Sequence, residues 1–370
     1  MTPPAHPLLV RLLRGADAGA AGVDEWRAVA ASARAHRLEP WLHRRLRRVD
    51  LDVPADVREC LERAAVDVAA RNLALAAELA AILRAVDAGG LACAPLRGIA
   101  LAEALDGDQA TRPMADLDLL VRHAEIDRTA VTLGALGYQE VDRRAGFARE
   151  FGNTLELVTQ RHGGIVVEPH WSLAYPPFTD AVDDARVWAT CARGTVAGAP
   201  CWLLSPAALL LHLCLHVAHK APDVPLLWVW EVDRLARRAP DWGELVALAA
   251  PVRSLVSEAL AGARATFDTP VPGAALEALA RPPADRRRGR LARLVSAGSY
   301  VDGRESLATF LALPGLRPRL RFATALLFPS PAFMRVEYHL SRDRELPGAY
   351  ARRVGRFAWE GLKGSARLVF

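Results

Sequence analysis

The sequence predicts an α+β fold, with a small mixed β-sheet flanked by N-terminal and C-terminal helical regions. Three observations lead to this prediction. Residues 7–88 carry apolar side chains at helical spacing, residues 91–173 alternate short strand patterns with helix patterns, and residues from 206 onward are again mostly helical. These changes of pattern predict three regions, at residues 1–88, 89–175 and 176–370.

The N-terminal region is expected to be entirely helical. Its apolar periodicity predicts helices at residues 8–13, 23–35, 38–46 and 57–86. Pro54 precedes the last and longest of them, and Gly89 and Gly90 follow it, as is typical of helix ends. We expect this long helix to pack on the sheet.

The central region carries the strand signals. Strands are predicted at residues 91–96, 115–121, 138–142, 153–159 and 164–170, and helices at 99–106 and 123–136. Prolines and a glycine at residues 176–177 and 198–200 indicate a connecting region before the C-terminal helices.

Composition sets limits on the class of protein. With 370 residues, 52% of them hydrophobic, the chain is long enough for a substantial core, and its formal charge of +5 is compatible with a nucleotide or RNA-like partner. Its five cysteines are an odd number without metal-ligand spacing, which indicates a reducing compartment, and we expect the cytoplasm. The sequence has neither a signal-peptide pattern nor an apolar run of 18 residues, so no transmembrane segment is expected.

Two carboxylates inside a predicted strand are the strongest functional signal. Asp116 and Asp118 alternate with Leu117 and Leu119, so both acids lie on one face of the strand. Neighbouring anions in an apolar strand are costly unless a cation compensates them, and Mg²⁺ or Mn²⁺ held by carboxylates and substrate phosphates is a common solution. The pattern therefore indicates phosphoryl or nucleotidyl transfer. The alternative is a strand edge that faces solvent, which the apolar neighbours argue against.

Two further segments could complete such a site. Arg97 and Gly98 lie between a predicted strand and a predicted helix, where free backbone N–H groups and a positive helix end suit phosphate. A glycine that merely begins a helix is the simpler interpretation. Glu168, near the end of the strand after Gly163 and Gly164, could bind a metal ion or act as a base, although an ordinary charge at a strand end is equally compatible.

These segments resemble the uncharacterised nucleotidyltransferase family of the DNA polymerase β superfamily. The resemblance lies in Leu-Arg-Gly at 96–98, the Arg-x-x-x-Asp-Leu-Asp strand that starts at Arg112, and Val-Glu-Pro-His-Trp at 167–171, and it covers residues 70–240 best. It implies a nucleotidyltransferase core, with Asp116, Asp118 and Glu168 as metal-binding catalytic residues and Gly98 facing the nucleotide phosphates. An unrelated small α/β domain remains the alternative.

Two departures from the family pattern affect the expected nucleotide site. Ile99 follows Gly98 where the superfamily usually has Ser or Gly, so no hydroxyl reaches a phosphate there. Arg97 stands where the family usually has Lys, which keeps the charge and changes the geometry. Arg112 could support the strand that carries the aspartates or reach the phosphates.

A histidine-rich helix follows at residues 206–220. His212, His216 and His219 share one helical face, with Lys220 beside them. They could bind substrate phosphate or hydroxyls, which makes His212, His216 and Lys220 candidate nucleotide-binding residues. The alternatives are packing in the core and a zinc site, and Asp233 could orient one of the rings.

The combined hypothesis is an enzyme that moves a nucleoside monophosphate from an NTP to a hydroxyl-type acceptor and releases pyrophosphate. The acceptor could be a small molecule, a protein or tRNA, as in toxin-like nucleotidyltransferases. A catalytically silent nucleotide-binding or scaffold protein is the alternative of a different class. The basic segment 350–370 could lie on an anionic membrane or a nucleic acid, or pack on the domain with its charges in water.

Overall fold

The structure is a computed structural model that describes residues 2–17, 19, 21–48, 51–141, 144, 146–282, 286–296 and 302–366. For residues 286, 293, 294, 296, 302–304 and 360–366 it describes the backbone alone.

The N-terminal region is helical, as expected. Its helices are α1 (Pro7–Leu13), α2 (Val23–Ala35), α3 (Glu39–Leu46) and α4 (Ala55–Ala88). Helix α4 begins directly after Pro54, whose fixed φ favours a helix start, and ends before Gly89 and Gly90. Buried leucines of α1 and α3 pack around Trp26, which fixes the short helices beside α4.

The central region forms a five-stranded mixed sheet, which confirms the predicted α+β fold. Its elements are β1 (Cys93–Pro95), α5 (Ile99–Asp106), β2 (Asp116–Val121), α6 (Ile126–Ala135), β3 (Gln139–Glu140), α7 (Phe147–Phe151), β4 (Leu157–Thr159) and β5 (Ile165–His170). The strand order is β1-β2-β5-β4-β3. Strands β2 and β5 run parallel, and the other neighbours are antiparallel.

Side chains of β2 alternate between two different surroundings. Leu117, Leu119 and Val121 join the core that contains Leu79 and Leu83 of α4. Leu120 joins the other core, which is built on the C-terminal helices. Because strand side chains alternate, Asp116 and Asp118 share the face of Leu120, turned away from α4. The expected packing of α4 on the sheet is confirmed.

The C-terminal region contains a hairpin and a helical array. Its elements are α8 (Asp184–Ala189), β6 (Ala192–Val196), β7 (Ala199–Leu203), α9 (Pro206–Lys220), α10 (Leu226–Ala236), α11 (Trp242–Ala249), α12 (Arg253–Phe267), α13 (Gly273–Ala280), α14 (Arg286–Ser296), α15 (Asp302–Ala312), α16 (Leu316–Leu327), α17 (Pro331–Glu337) and α18 (Leu346–Ala366). Throughout the described ranges, none of the helices has both the length and the apolarity needed to cross a bilayer.

Residues 192–203 differ from the sequence interpretation, which placed a plain connection around 198–200. Strands β6 and β7 pair as an antiparallel hairpin. Its two turn residues, Ala197 and Gly198, have φ values of 50° and 68°. Positive φ at both positions suits the right-handed twist of a two-residue hairpin. An alanine rarely adopts positive φ, so Ala197 did not indicate a hairpin turn in the sequence.

The basic C-terminal helix packs on the protein. Arg353 of α18 is buried, and its Nε donates to the carbonyl oxygen of Leu326 in α16 at 2.8 Å. Arg352 and Arg356 are exposed on the same helix. This arrangement agrees with the interpretation of a packed helix with a solvated basic face. The side chain of Lys363 and all of Arg367 lie outside the described residues.

Candidate active site

The acidic residues meet where β2 and β5 run side by side. Asp118 lies directly opposite Glu168 in the parallel register, and Asp116 and His170 lie two residues along each strand. Directly opposed residues of neighbouring strands share a face, so all four side chains point to the side away from α4. The sheet thus brings together the three carboxylates that the sequence predicted as a site.

A cavity of about 640 Å³ lies in front of these carboxylates. The sheet face forms one wall, with Asp116, Asp118, Glu168 and His170. Helix α9 forms a second wall through His216, His219 and Lys220. The third wall comes from α7 and from α15 to α18, and it includes Phe147, Phe151, Glu305, Phe322, Phe333, Arg353 and Phe357. The volume lies in the range of small-molecule sites, which is about 300–1,000 Å³.

Asp118 is held in place by two basic groups. The Nη2 of Arg97 donates to Oδ2 of Asp118 at 2.6 Å, and Nε2 of His170 lies 3.1 Å from Oδ1. Burial of Asp118 disfavours its charge, but the Arg97 guanidinium and the His170 ring outweigh burial and hold the pKa of Asp118 well below its usual range. Asp118 is therefore an ionised carboxylate with a fixed orientation.

His170 connects Asp118 to Glu168. Its Nε2 lies 3.6 Å from Oε2 of Glu168, and its Nδ1 lies 3.4 Å from Nδ2 of Asn153. Burial lowers the pKa of His170, but the interactions with Asp118 and then Glu168 raise it by more, so the net shift is upward. The ring therefore positions two of the three carboxylates.

Among the residues that the structure describes, Asp116 has no equivalent partner, and its pKa shifts in the opposite direction. Burial, together with the negative charges of Asp118 and Glu168, raises its pKa, and the more distant Arg97 opposes this only in part. Asp118 is paired with Arg97 and His170, whereas no ion pair among the described side chains includes Asp116, so the charge of Asp116 is the least compensated on this face. A divalent cation is the ligand that would compensate it.

The geometry of the face fits a metal ion. Ligand atoms of Asp118, Glu168 and His170 all lie within 4.8 Å of one another. Two of these donors are oxygens, which Mg²⁺ and Mn²⁺ accept, and Asp116 offers a further carboxylate on the same face. Asp118 would have to bind the ion while its other oxygen stays paired with Arg97.

His216 belongs to the network behind Asp118. Its Nε2 lies 2.6 Å from Nη1 of Arg97, and its Nδ1 lies 3.0 Å from the hydroxyl of Tyr175. A guanidinium can only donate, so Nε2 must accept and Nδ1 must carry the proton. Burial and the adjacent Arg97 charge lower the pKa of His216 well below its usual value, which keeps this neutral form. His216 thus orients Arg97.

The other histidines of α9 have different surroundings. His219 lines the cavity and stacks on Tyr175, with ring centroids 4.1 Å apart. His212 is buried, and it does not line the cavity. The three rings do not form a zinc site among the described residues, because the one metal-capable cluster there is Asp118, Glu168 and His170. The zinc alternative therefore finds no support.

Asp233 does not orient a histidine, which corrects that prediction. It accepts hydrogen bonds from Thr269 Oγ1 at 2.8 Å and from Arg237 Nε at 2.9 Å. Helix α10 instead turns Glu231 toward the site, where its Oε1 pairs with Nε of Arg112 at 2.6 Å.

The predicted phosphate-binding residues fall into two groups. Arg97, Arg112, His216 and Lys220 line the cavity, whereas Gly98 and His212 do not. Gly98 has a φ of 59°, and a Cβ at this position would lie 3.1 Å from Sδ of Met114. Glycine therefore suits this position because the turn has a positive φ and Met114 leaves little room for a Cβ. The predicted contact of Gly98 with phosphate stays a prediction. Burial lowers the pKa of Lys220, against the opposing effect of nearby carboxylates.

Several cavity residues gave no clear signal in the sequence. Tyr175 and Asn153 reach the network through loops, and Arg37 enters from the turn between α2 and α3 with a φ of 60°. A bulky residue at positive φ is uncommon, but the sequence does not reveal the angle. The residues from α15 to α18 are far from the motifs in sequence, so only the tertiary fold brings them to the cavity.

One of three comparisons with known proteins agrees with the site's motifs. Residues 23–267 match a family described as uncharacterised nucleotidyltransferase. Comparison with curated proteins gives no match. Among solved structures, an antigenic nucleotidyltransferase-like protein from Paracoccidioides brasiliensis is similar at 16% identity and a TM-score of 0.37, over 55% of this chain and 95% of that one.

The family match extends over more than half of the chain. It contains β2, β5 and α9, and with them the carboxylates, Arg97 and His216. The helices from α13 to α18 lie beyond it. On this match, the chain belongs to the uncharacterised nucleotidyltransferase family.

Proposed function

We propose that the protein is a metal-dependent nucleotidyltransferase that moves a nucleoside monophosphate from an NTP to a hydroxyl-type acceptor. The observation that carries this proposal is the pairing of Asp118 with Glu168 across two parallel strands, with Asp116 on the same face. Family membership and the cavity in front of these acids support it.

Asp116, Asp118 and Glu168 are the proposed metal ligands and catalytic residues, with Mg²⁺ or Mn²⁺ as the ion. When bound, such an ion supplies charge stabilisation for the entering and leaving oxygens of an in-line displacement. Asp118 would contribute an orientation fixed by Arg97 and His170. Asp116 would contribute a carboxylate that forms no ion pair with the side chains that the structure describes, consistent with its raised pKa.

The proposed reaction forms one bond and breaks one. The acceptor oxygen attacks the α-phosphorus, the bond between that phosphorus and the oxygen bridging to the β-phosphate breaks, and pyrophosphate leaves with that oxygen. Glu168 is 30% exposed at its side chain and faces the cavity, so it is placed to accept the hydroxyl proton. Positioning and charge stabilisation would account for most of the rate increase.

The remaining nucleotide contacts are assigned to the walls of the cavity. Lys220 is proposed to contact the phosphates, because it lines the cavity beside the carboxylates, and His216 is proposed to act on them through Arg97, which its Nε2 contacts. Arg97 and Arg112 are already paired with Asp118 and Glu231. They are proposed to attract the phosphates while they stay in these ion pairs. Gly98 and His212 are still proposed as nucleotide-binding residues, although neither lines the cavity.

The division into regions 1–88, 89–175 and 176–370 is kept as a proposal for the functional units. The five cysteines are unpaired, which supports the cytoplasm as the proposed compartment.

The test is transfer of label from α-³²P-labelled ATP, CTP, GTP and UTP in the presence of Mg²⁺ or Mn²⁺. Cell extract supplies acceptors, and the products are separated into RNA, protein and small molecules. The matched variants are Asp116→Ala/Asp118→Ala, which removes the paired acids, and Asp24→Ala, whose side chain is fully exposed on α2.

Label that appears with the wild type and with Asp24→Ala, and that is lost in the double variant, supports the proposal. The labelled fraction then names the acceptor class and separates a tRNA-modifying or protein-modifying enzyme from a small-molecule enzyme. Metal-dependent nucleotide binding without label in any fraction would contradict transfer and favour a silent nucleotide-binding protein.

A further inference from the structure

Arg353 is a buried cation on the wall of the cavity that α16 to α18 form. Its residue is 2% exposed, and it lines the same cavity as Asp116 and Glu168. The Nε donates to the Leu326 carbonyl, which leaves both Nη atoms for other partners. This hydrogen bond fixes the direction of the guanidinium within the wall.

Aromatic rings flank this guanidinium. The Cζ of Arg353 lies 5.1 Å from the ring centroid of Phe333 and 5.1 Å from that of Phe357. Cation–π contacts of this length compensate only part of the loss of water around a buried charge. Arg356, one turn further along α18, is exposed at the cavity and lies 5.3 Å from the Phe357 ring.

No carboxylate neutralises Arg353 among the side chains that the structure describes. None of the ion pairs formed by those side chains includes this guanidinium. Arg112, which lines the same cavity, shows the contrast because its Nε pairs with Oε1 of Glu231 at 2.6 Å. Arginine does not lose its proton in proteins, and buried charges are usually paired. An unpaired guanidinium in a ligand-sized cavity is therefore suited to an anion.

We propose that Arg353 is the anion-binding residue of a second subsite, on the cavity wall that α16 to α18 form. The ligand group is an oxyanion, a phosphate or a carboxylate, next to a planar or apolar group that packs on Phe333 and Phe357. The helices that carry this subsite lie beyond residues 23–267, the segment that matches the family.

The link between this subsite and catalysis depends on the proposed function, while the anion site itself does not. Two sources could supply the oxyanion: the acceptor substrate, or the polyphosphate of the nucleotide. The carboxylate wall is the proposed place for the nucleotide phosphates, so we assign the subsite to an anionic acceptor.

The test measures binding of inorganic phosphate by the shift of thermal unfolding, in the presence of EDTA so that no metal ion mediates it. Arg353→Met is compared with Arg352→Met, which removes the same charge from the exposed neighbour on α18. A ligand that binds only the folded state raises its stability with concentration in a saturable way. We expect Arg353→Met to lower the affinity for phosphate at least about tenfold, because one charge-assisted hydrogen bond is lost. Arg352→Met should bind phosphate with the affinity of the wild type.

A purely structural role would give a different result. Arg353→Met would then unfold at a lower temperature, while phosphate raised that temperature as much as in the wild type. That outcome would overturn the proposal, as would the absence of any phosphate effect on the wild type. Arg353→Lys keeps the charge, so it should fold closer to the wild type and retain part of the phosphate effect.

Two further arms identify the source of the anion. Asp116→Ala/Asp118→Ala should keep the phosphate effect, because the subsite does not use these acids, even if the proposed transfer activity fails. A non-hydrolysable ATP analogue with Mg²⁺ should stabilise Arg353→Met and the wild type equally if the subsite takes the acceptor. A loss of the analogue's effect in Arg353→Met alone would overturn the acceptor assignment and give the oxyanion to the nucleotide.

Discussion

Arg97 and Asp118 form a buried ion pair at the centre of the candidate site, with Nη2 and Oδ2 2.6 Å apart and side chains 10% and 3% exposed. The same guanidinium contacts His216, and the same carboxylate contacts His170. One arginine thus joins helix α9 to the strand that carries the acids. The positive charge of Arg97 also compensates part of the negative charge of the three carboxylates.

Arg97→Met should destabilise the protein and increase its dependence on metal ions. Removing one partner of a buried pair costs about 3–5 kcal/mol of unfolding free energy, because the other charge stays uncompensated. Mn²⁺ should then stabilise the variant more than the wild type, since Asp118 has lost its cation. Urea unfolding with and without Mn²⁺ measures both effects.

The control for this prediction is Arg27→Met. Arg27 pairs with Asp56 at 3.0 Å, but both side chains are more than half exposed. Exposed pairs contribute about 0–1 kcal/mol, so this variant should change little. An equal loss in the two variants, or an unchanged response to Mn²⁺ in Arg97→Met, would refute the role given to Arg97.

The Arg112–Glu231 pair should show strong coupling in a double-mutant cycle. Arg112→Met and Glu231→Gln each leave a buried partner unmatched, so each should cost about 3–5 kcal/mol, and the double variant should cost less than the sum. Urea unfolding of the four proteins gives the coupling energy. Additive losses would show that the two side chains do not depend on each other.

Gly98→Ala should destabilise the turn before α5. The backbone has a φ of 59° and a ψ of −120°, and the new Cβ would approach Sδ of Met114. Such strain costs about 1–3 kcal/mol. Gly134→Ala is the matched control, because Gly134 lies on an exposed position of α6 with open space around it, and alanine should stabilise that helix by about 0.5–1 kcal/mol. Equal shifts in thermal unfolding for the two variants would contradict this account of the turn.

Glu78 should make stability depend on pH. It accepts hydrogen bonds from Arg161 at 2.8 and 2.9 Å and from the Tyr138 hydroxyl at 2.7 Å, which tie α4 to the edge of the sheet. The Arg161 hydrogen bond, reinforced by Tyr138, outweighs burial and lowers the pKa of Glu78. A lowered pKa in the folded state adds stability above the unfolded pKa of about 4.5, and that stability is lost as the pH falls further.

Glu78→Gln should therefore lose about 1–3 kcal/mol at pH 7 and approach the wild type below pH 4.5. Thermal unfolding between about pH 3 and pH 7 measures the difference, since the loss occurs as the pH falls from the unfolded pKa through the lower folded pKa. Glu277→Gln, on an exposed position of α13, should match the wild type throughout. A Glu78→Gln deficit that stays constant over this range would mean that the carboxylate charge does not stabilise the fold.

The sequence predicted the acidic face because strand alternation is a local property. Asp116 and Asp118 alternate with leucines, so their shared face follows from the strand period alone. Their pairing with Glu168 is a contact between strands about fifty residues apart. The residue pattern left Glu168 open between a metal ligand and an ordinary strand-end charge, and the family resemblance assigned it to the metal site. Arg97, His216 and Tyr175 come from three separate elements, so no local pattern could predict their network.

Where the predicted elements differ from the structure, the difference has a specific cause. Of the strands predicted at 138–142 and 153–159, Gln139–Glu140 and Leu157–Thr159 are regular strands, and residue 142 lies outside the described residues. Thr154 still forms an isolated bridge to His170 of β5, so regular pairing is interrupted between Thr154 and Leu157. The hairpin β6–β7 was missed because its turn uses an alanine at positive φ. The wall of α15 to α18 was missed because helical periodicity gives helices but not the surface on which they pack.

The central claim is that the three carboxylates hold the metal ion at which a nucleotide reacts. The most direct test is crystallography of the protein with Mn²⁺ and a non-hydrolysable NTP analogue, using the anomalous signal of manganese. We expect an anomalous peak bound by oxygens of Asp116, Asp118 and Glu168, with the α-phosphate of the analogue beside it. A bound nucleotide whose phosphates and manganese lie away from these three residues would contradict the account.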